Sequence, residues 1–177
     1  LSTTGDDNVA VGKSALQDHT TGSDNTAVGN YALANNTTAD SNTAVGYYSL
    51  YTVTTGNNLT AVGYKALEAN TAANNVAVGT NALKLNSTGS NNTSVGTNSL
   101  DANTTGASNV AVGYRALSAN STASSNTAVG KDAMLINSTG AENVAVGAEA
   151  LDANTTGNEN VALGYGAMSN NSTGGYN

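Results

Sequence analysis

"NVAVGAEALDANTTG" occupies Asn143–Gly157, and the phrase has close copies upstream. "NVAVGYRALSANSTA" spans Asn109–Ala123 and "NVAVGTNALKLNSTG" spans Asn75–Gly89. Each lies 34 residues, or two units, from the next. Taking the glycine of every V-G or L-G as an anchor gives Gly12, Gly29, Gly46, Gly63, Gly79, Gly96, Gly113, Gly130, Gly147 and Gly164. Eight of the nine spacings are 17 residues and one is 16. The chain is thus ten copies of one unit, numbered here as coils 1 to 10 by their anchors. Self-similarity at a fixed short period is the mark of a stacked repeat architecture.

The columns of the repeat differ in what they tolerate. The residue before the anchor is Val nine times and Leu163 once, and two before it stands Ala, with Ser94 the one exception. Four after it comes Leu, or Met134 and Met168, while the first two positions after the anchor vary freely, as solvent-facing positions do. "N-[VT]-A-V-G" alternates like a short strand, with the β-branched positions on one face and Ala on the other. The larger Val is expected inside and the constant Ala outside, against a neighbouring chain. "A-L" predicts a second, shorter strand beyond a glycine bend, and "N-[TS]-T-G" a turn. The single-residue deletion at Asn70–Asn75 falls in that turn, where loops absorb length changes. A helix over "x-x-A-L-x-x-N" is too short to stand.

One Val and one Leu per unit cannot make a thick core, so units must cover one another. The fold expected is all-β, a parallel β-solenoid of ten coils over residues 1–177, a single array about 48 Å long at roughly 4.8 Å per coil. Asn recurs four before the anchor, except Leu59, and seven after it, except His19 and Val53. Stacked Asn columns predict amide ladders at the corners, and the Thr/Ser columns that follow predict hydroxyl ladders or local turn capping.

Composition excludes several functions. Twelve acids against five bases give a net charge of −7, and Lys13, Lys65, Lys84, Arg115 and Lys131 are scattered, so nucleic acid is not an expected partner. No apolar run approaches a membrane span. There is no cysteine for a disulfide framework or thiolate site. "LSTTGDD" opens the chain without Met or a charged-then-apolar leader, which reads as a mature segment or a window on a longer fibre.

"SNTAVGYYSL" (Ser41–Leu50) and "SNVAVGYRAL" (Ser108–Leu117) resemble the head repeats of trimeric autotransporter adhesins. They are still more similar to the N-T-A-V-G-x-x-A-L repeats of phage tail fibres and large bacterial surface proteins. The likeness covers nearly the whole chain, though adhesin heads use a shorter period and lack the "NTTG" segment. It implies a left-handed parallel β-roll, often trimeric, displayed outside the cell, with no catalytic residues to transfer.

The residues themselves offer little chemistry. His19 is the only histidine and replaces Asn in a repeat column, so a catalytic base, a usual zinc site and any other cofactor are not expected. Loop acids (Asp6, Asp7, Asp24, Asp40, Glu142, Glu159) fall about one per coil, without the calcium-binding nonapeptide. Seven members of the second Asn column meet the N-x-[ST] pattern: Asn36, Asn86, Asn103, Asn120, Asn137, Asn154 and Asn171. They are candidate glycan sites, although a turn that prefers N-[TS]-T makes such patterns unaided. Tyr31, Tyr47, Tyr48, Tyr51 and Tyr64 crowd the variable columns of coils 2 to 4 as a candidate aromatic patch.

The expected role is structural rather than enzymatic: a rod or filament segment of an extracellular fibre, appendage or phage particle, with or without a sugar coat. Its expected partners are identical chains, laterally as a trimer or bundle and head-to-tail. Adhesion to a surface carbohydrate is the alternative. Ice binding is the third, weakened because the column three before the anchor mixes Val and Thr.

Overall fold

The computed structural model describes residues 4–177, so Leu1–Thr3 of the opening stretch lie outside it. Each coil contributes one three-residue strand: β1 Val9–Val11, β2 Thr26–Val28, β3 Thr43–Val45, β4 Thr60–Val62, β5 Val76–Val78, β6 Thr93–Val95, β7 Val110–Val112, β8 Thr127–Val129, β9 Val144–Val146 and β10 Val161–Leu163. The ten pair in chain order as one parallel sheet, with equivalent columns in register. The 16-residue unit does not shift this register: Thr60 pairs with Val76, and the missing residue is absorbed outside the strands. This is a parallel β-solenoid.

The strand faces are reversed from expectation. Ala27, Ala44, Ala61, Ala77, Ala111, Ala128, Ala145 and Ala162 are fully buried, whereas the flanking Val and Thr lie at the surface. Val146, expected inside, is 39% exposed, and Ala145, expected against a neighbour, is inside its own coil. The interior is narrow. Leu of the turn fills it, as Leu33, Leu50, Leu83 and Leu117 show, and the alanine three after the anchor packs beside it. Across so thin a core only a methyl-sized side chain fits over the strand, and close packing penalises anything larger. Coil 6 carries the sole serine in the strand column, Ser94, and it meets Ser99 hydroxyl to hydroxyl while donating to the Ser99 carbonyl at 2.8 Å. The buried polar group is therefore satisfied.

"A-L" is not a second strand. The residue two after each anchor has φ between 55° and 60°, and the Leu or Met four after has φ between 49° and 54°. The chain curls through left-handed residues that swing the leucine inward. A non-glycine residue there costs about 1–2 kcal/mol, which burial of a leucine at roughly 1.5–3 kcal/mol offsets. The anchors need glycine outright. Their φ values run from 114° to 139°, and from Gly12 to Gly147 an added Cβ would strike the backbone of the next anchor.

The Asn columns form ladders, and their side chains are buried. Asn75 and Asn86 of coil 5 both donate, at 2.8 Å, to the carbonyl of Gly89. Asn92 and Asn103 clamp Gly106 in the same way, and Asn109 and Asn120 clamp Ala123. The first column accepts the next coil's backbone N–H, as Asn92 Oδ1 does from Asn109 at 2.9 Å. In the second column Nδ2 donates to the Oδ1 below it, from Asn103 to Asn86 at 2.8 Å and from Asn120 to Asn103 at 3.0 Å. In the first Thr/Ser column the hydroxyls reach the next coil's backbone rather than its hydroxyl: Thr104 Oγ1 donates to the Ser121 carbonyl at 3.0 Å and Ser138 Oγ to the Thr155 carbonyl at 3.0 Å. Val53 and Leu59, which interrupt the two Asn columns six residues apart, are both buried in the apolar cluster.

The two faces of one strand give a direct test. Ala111→Val should overpack the core and cost about 1–3 kcal/mol in urea unfolding. Val112→Thr should stay within about 0.5 kcal/mol, as surface changes do. The opposite ranking would restore the inside-out assignment.

Candidate functional site

With Ala inside, the outer face of the sheet belongs to two columns. They run Val9, Thr26, Thr43, Thr60, Val76, Thr93, Val110, Thr127, Val144, Val161 and, beside these, nine valines ending in Leu163. Fifteen of the twenty residues are aliphatic, five are Thr and none is charged. Val11 is 57% and Leu163 68% exposed, and the middle of the face is half-buried only because each side chain leans on its own copies above and below. The two columns make a continuous uncharged stripe along the ten strands. Sequence reasoning missed it because it ranked Val above Ala for burial. The missing signal was that neither outer column ever takes a charge.

The variable columns lie on another side, beyond the glycine bend. The five tyrosines named from the sequence meet there. Ring centres are 5.0 Å apart for Tyr31 and Tyr48, 4.5 Å for Tyr47 and Tyr48, and 4.5 Å for Tyr48 and Tyr51. Tyr47 and Tyr64 stack at 5.6 Å with planes 8° apart. Lys13 and Lys65, not linked to them by sequence reasoning, lie over these rings at 5.7–5.8 Å. Burial and the neighbouring Tyr47 push the Tyr48 hydroxyl above its ordinary pKa.

Further along the same columns stands an ion network. Arg115 Nε donates to Asp132 Oδ1 at 2.8 Å, and Lys131 Nζ lies 3.0 Å from Oδ2 and 3.7 Å from Glu149. Burial raises the pKa of Asp132, but hydrogen bonds from Lys131 and Arg115 outweigh it and hold the carboxyl below the usual range. The Arg115–Asp132 and Lys131–Glu149 pairs join neighbouring coils, whereas Lys131 and Asp132 are adjacent in the chain.

The seven N-x-[ST] asparagines are placed very differently from surface loops. Asn36, Asn86, Asn103, Asn120, Asn137 and Asn154 have no exposed surface, and Asn171 is half-buried. Each Nδ2 already donates to the carbonyl three residues on, at 2.8–3.1 Å. A sugar on that nitrogen would need the ladder opened. His19 takes the place of an Asn: it is buried, its Nε2 lies 3.2 Å from Asn8 Nδ2, and its Nδ1 has no hydrogen-bond partner. Among the described residues no three His, Asp or Glu side chains gather closely enough to hold a metal ion. No helix among them is long and apolar enough to cross a membrane.

The chain is a β-solenoid repeat protein. No family model, no curated protein and no solved structure matches it, so its likeness to adhesin-head and tail-fibre repeats rests on the motif alone.

Two measurements probe these columns. Asn120→Ala strands Asn103 Oδ1 within a buried ladder and leaves the Ala123 carbonyl to Asn109 alone. It should cost about 1–3 kcal/mol of stability in denaturant unfolding, against nothing measurable if the column were solvated. Asp132 has a lowered folded pKa, so its contribution is present above the unfolded value of about 3.9 and is lost as pH falls through the folded value. The melting-temperature gap between wild type and Asp132→Asn should therefore be open at pH 6 and close below about pH 3.9. A gap independent of pH would reject the ion network as its cause.

Proposed function

We propose that this chain is a structural rod, a segment of an extracellular fibre or appendage, without catalytic activity, that packs laterally against identical chains through its Val/Thr sheet face. The uncharged ten-strand face carries the reading. Ten strands at about 4.8 Å and three residues at about 3.3 Å give a face of roughly 48 by 10 Å. Two such faces hide about 1,000 Å² in total, the lower bound for a specific interface, and every further coil in register adds to it. Identical ladders on both partners let valines interdigitate in the manner of a dry zipper. Nothing in the rod itself requires Val there, since Thr serves equally in half of one column.

The extracellular placement is supported by the motif's likeness to surface and tail-fibre repeats. An Asn-linked sugar coat is not part of the proposal, because six of its seven sites are buried. Light scattering coupled to gel filtration tests the association. The wild type should run as a multiple of 17.4 kDa, and Val95→Lys with Val129→Lys should return it to one chain with an unchanged circular dichroism spectrum. A monodisperse wild-type monomer overturns the interface. Thermal hysteresis would instead assign the flat Val/Thr face to ice.

A further inference from the structure

We propose that the tyrosine tile of coils 2 to 4 binds an acidic polysaccharide, with pyranose rings packing on the tyrosines and carboxylates meeting Lys13 and Lys65.

The scaffold does not need these tyrosines. Coils 5 and 6 fill the first two columns after the anchor with Thr80, Asn81, Thr97 and Asn98, in the same backbone conformation. The second of those columns is left-handed, with φ at 56° for Asn81 and 55° for Asn98, where Asn is at ease. Coils 2 and 3 place Tyr31 and Tyr48 there instead, at φ 60° and 57°. The column is left-handed in every coil whatever residue fills it, so the backbone does not call for tyrosine there. Five of the eight tyrosines in the chain occupy three successive coils and touch through their rings.

The chemistry of the tile narrows its occupant. Phenol rings offer apolar surface for the C–H faces of a sugar, and their hydroxyls offer hydrogen bonds at the rim. Tyr47 and Tyr64 are the most exposed members, at 44% and 48%, and their centres are offset by 5.6 Å along successive coils. That step is comparable to the length of one pyranose unit, so an extended chain can lie along the rod and meet ring after ring. Charge points the same way. In coils 1 to 4 the tile's columns carry Lys13, Lys65 and a single acid, Glu68, on a chain whose net charge is −7. Lys65 is shared with Glu68 at 3.0 Å, and Lys13 has no ion pair among the described residues. A cationic, aromatic island on an acidic rod fits carboxylate-bearing sugars. The tile uses other columns than the Val/Thr face, so this proposal stands independently of lateral packing.

Affinity electrophoresis through gels containing alginate, polygalacturonate, laminarin or mannan tests the proposal. The variant Tyr31→Asn, Tyr47→Thr, Tyr48→Asn, Tyr64→Thr uses residues the array itself holds in coils 5 and 6, so it keeps the fold, checked by circular dichroism. Tyr64→Thr alone is the milder companion. Wild type should be retarded by alginate or polygalacturonate, with retardation weakening as salt rises. The fourfold variant should bind at least tenfold more weakly, and Lys13→Ala should blunt the salt dependence. Failure of both acidic polymers to retard wild type overturns the proposal, as does equal binding by the variant. Retardation by the neutral polymers alone, or equally by all four, overturns the acidic assignment.

Discussion

The thinness of the coil interior governs this structure. A single turn leucine and two alanines nearly fill the apolar part of each cross-section, and the remainder is occupied by two asparagine amides. From that limit follow the exclusion of Val from the inner strand face and two departures from consensus that occur in pairs. Ser94 is matched by Ser99 in the same coil, and Val53 by Leu59 six residues later. In so close a core a change at one position is often coupled to a change beside it. The amides do what a hydrophobic core cannot do at this size: they satisfy backbone carbonyls that the turn leaves without strand partners.

The sequence made the period, the strand, the bend and the number of coils legible, because each was written ten times. The Asn and Thr/Ser ladders were also readable as columns. What failed was orientation. Alternation shows that Ala and Val face opposite ways, but not which way is in, and the rule that larger apolar residues go inside reversed the answer. The rule fails because Leu50 and its equivalents enter from the turn and occupy the space first. The turn itself was misread as a strand because leucine is rarely left-handed, and nothing in "A-L" announces φ near 50°. The tyrosine cluster was legible from the columns alone, whereas the lysines over it became evident only once successive coils were stacked.

Fixed and variable columns divide the labour. Fixed columns build a rung, and each strand touches only the strands before and after it, so stability accumulates by neighbours. Variable columns spend nothing on that scaffold and are therefore free to differ along the rod. They carry tyrosines in coils 2 to 4 and an ion network in coils 7 to 9, two unlike surfaces on one repeating frame.

The second asparagine column has a sense of direction. From Asn154 down to Asn70 each Nδ2 donates to the Oδ1 of the preceding coil, so every amide dipole in that run points the same way. Bonds aligned head to tail polarise one another. The hydroxyl rail runs in the contrary sense, each donor reaching to the following coil. The rod is thus a directional object with a distinguishable top and bottom, although its repeats are nearly identical. Two rods laid side by side in the same sense are consequently not equivalent to two laid head to foot, and a bundle built from them inherits a choice that their outer shape does not reveal.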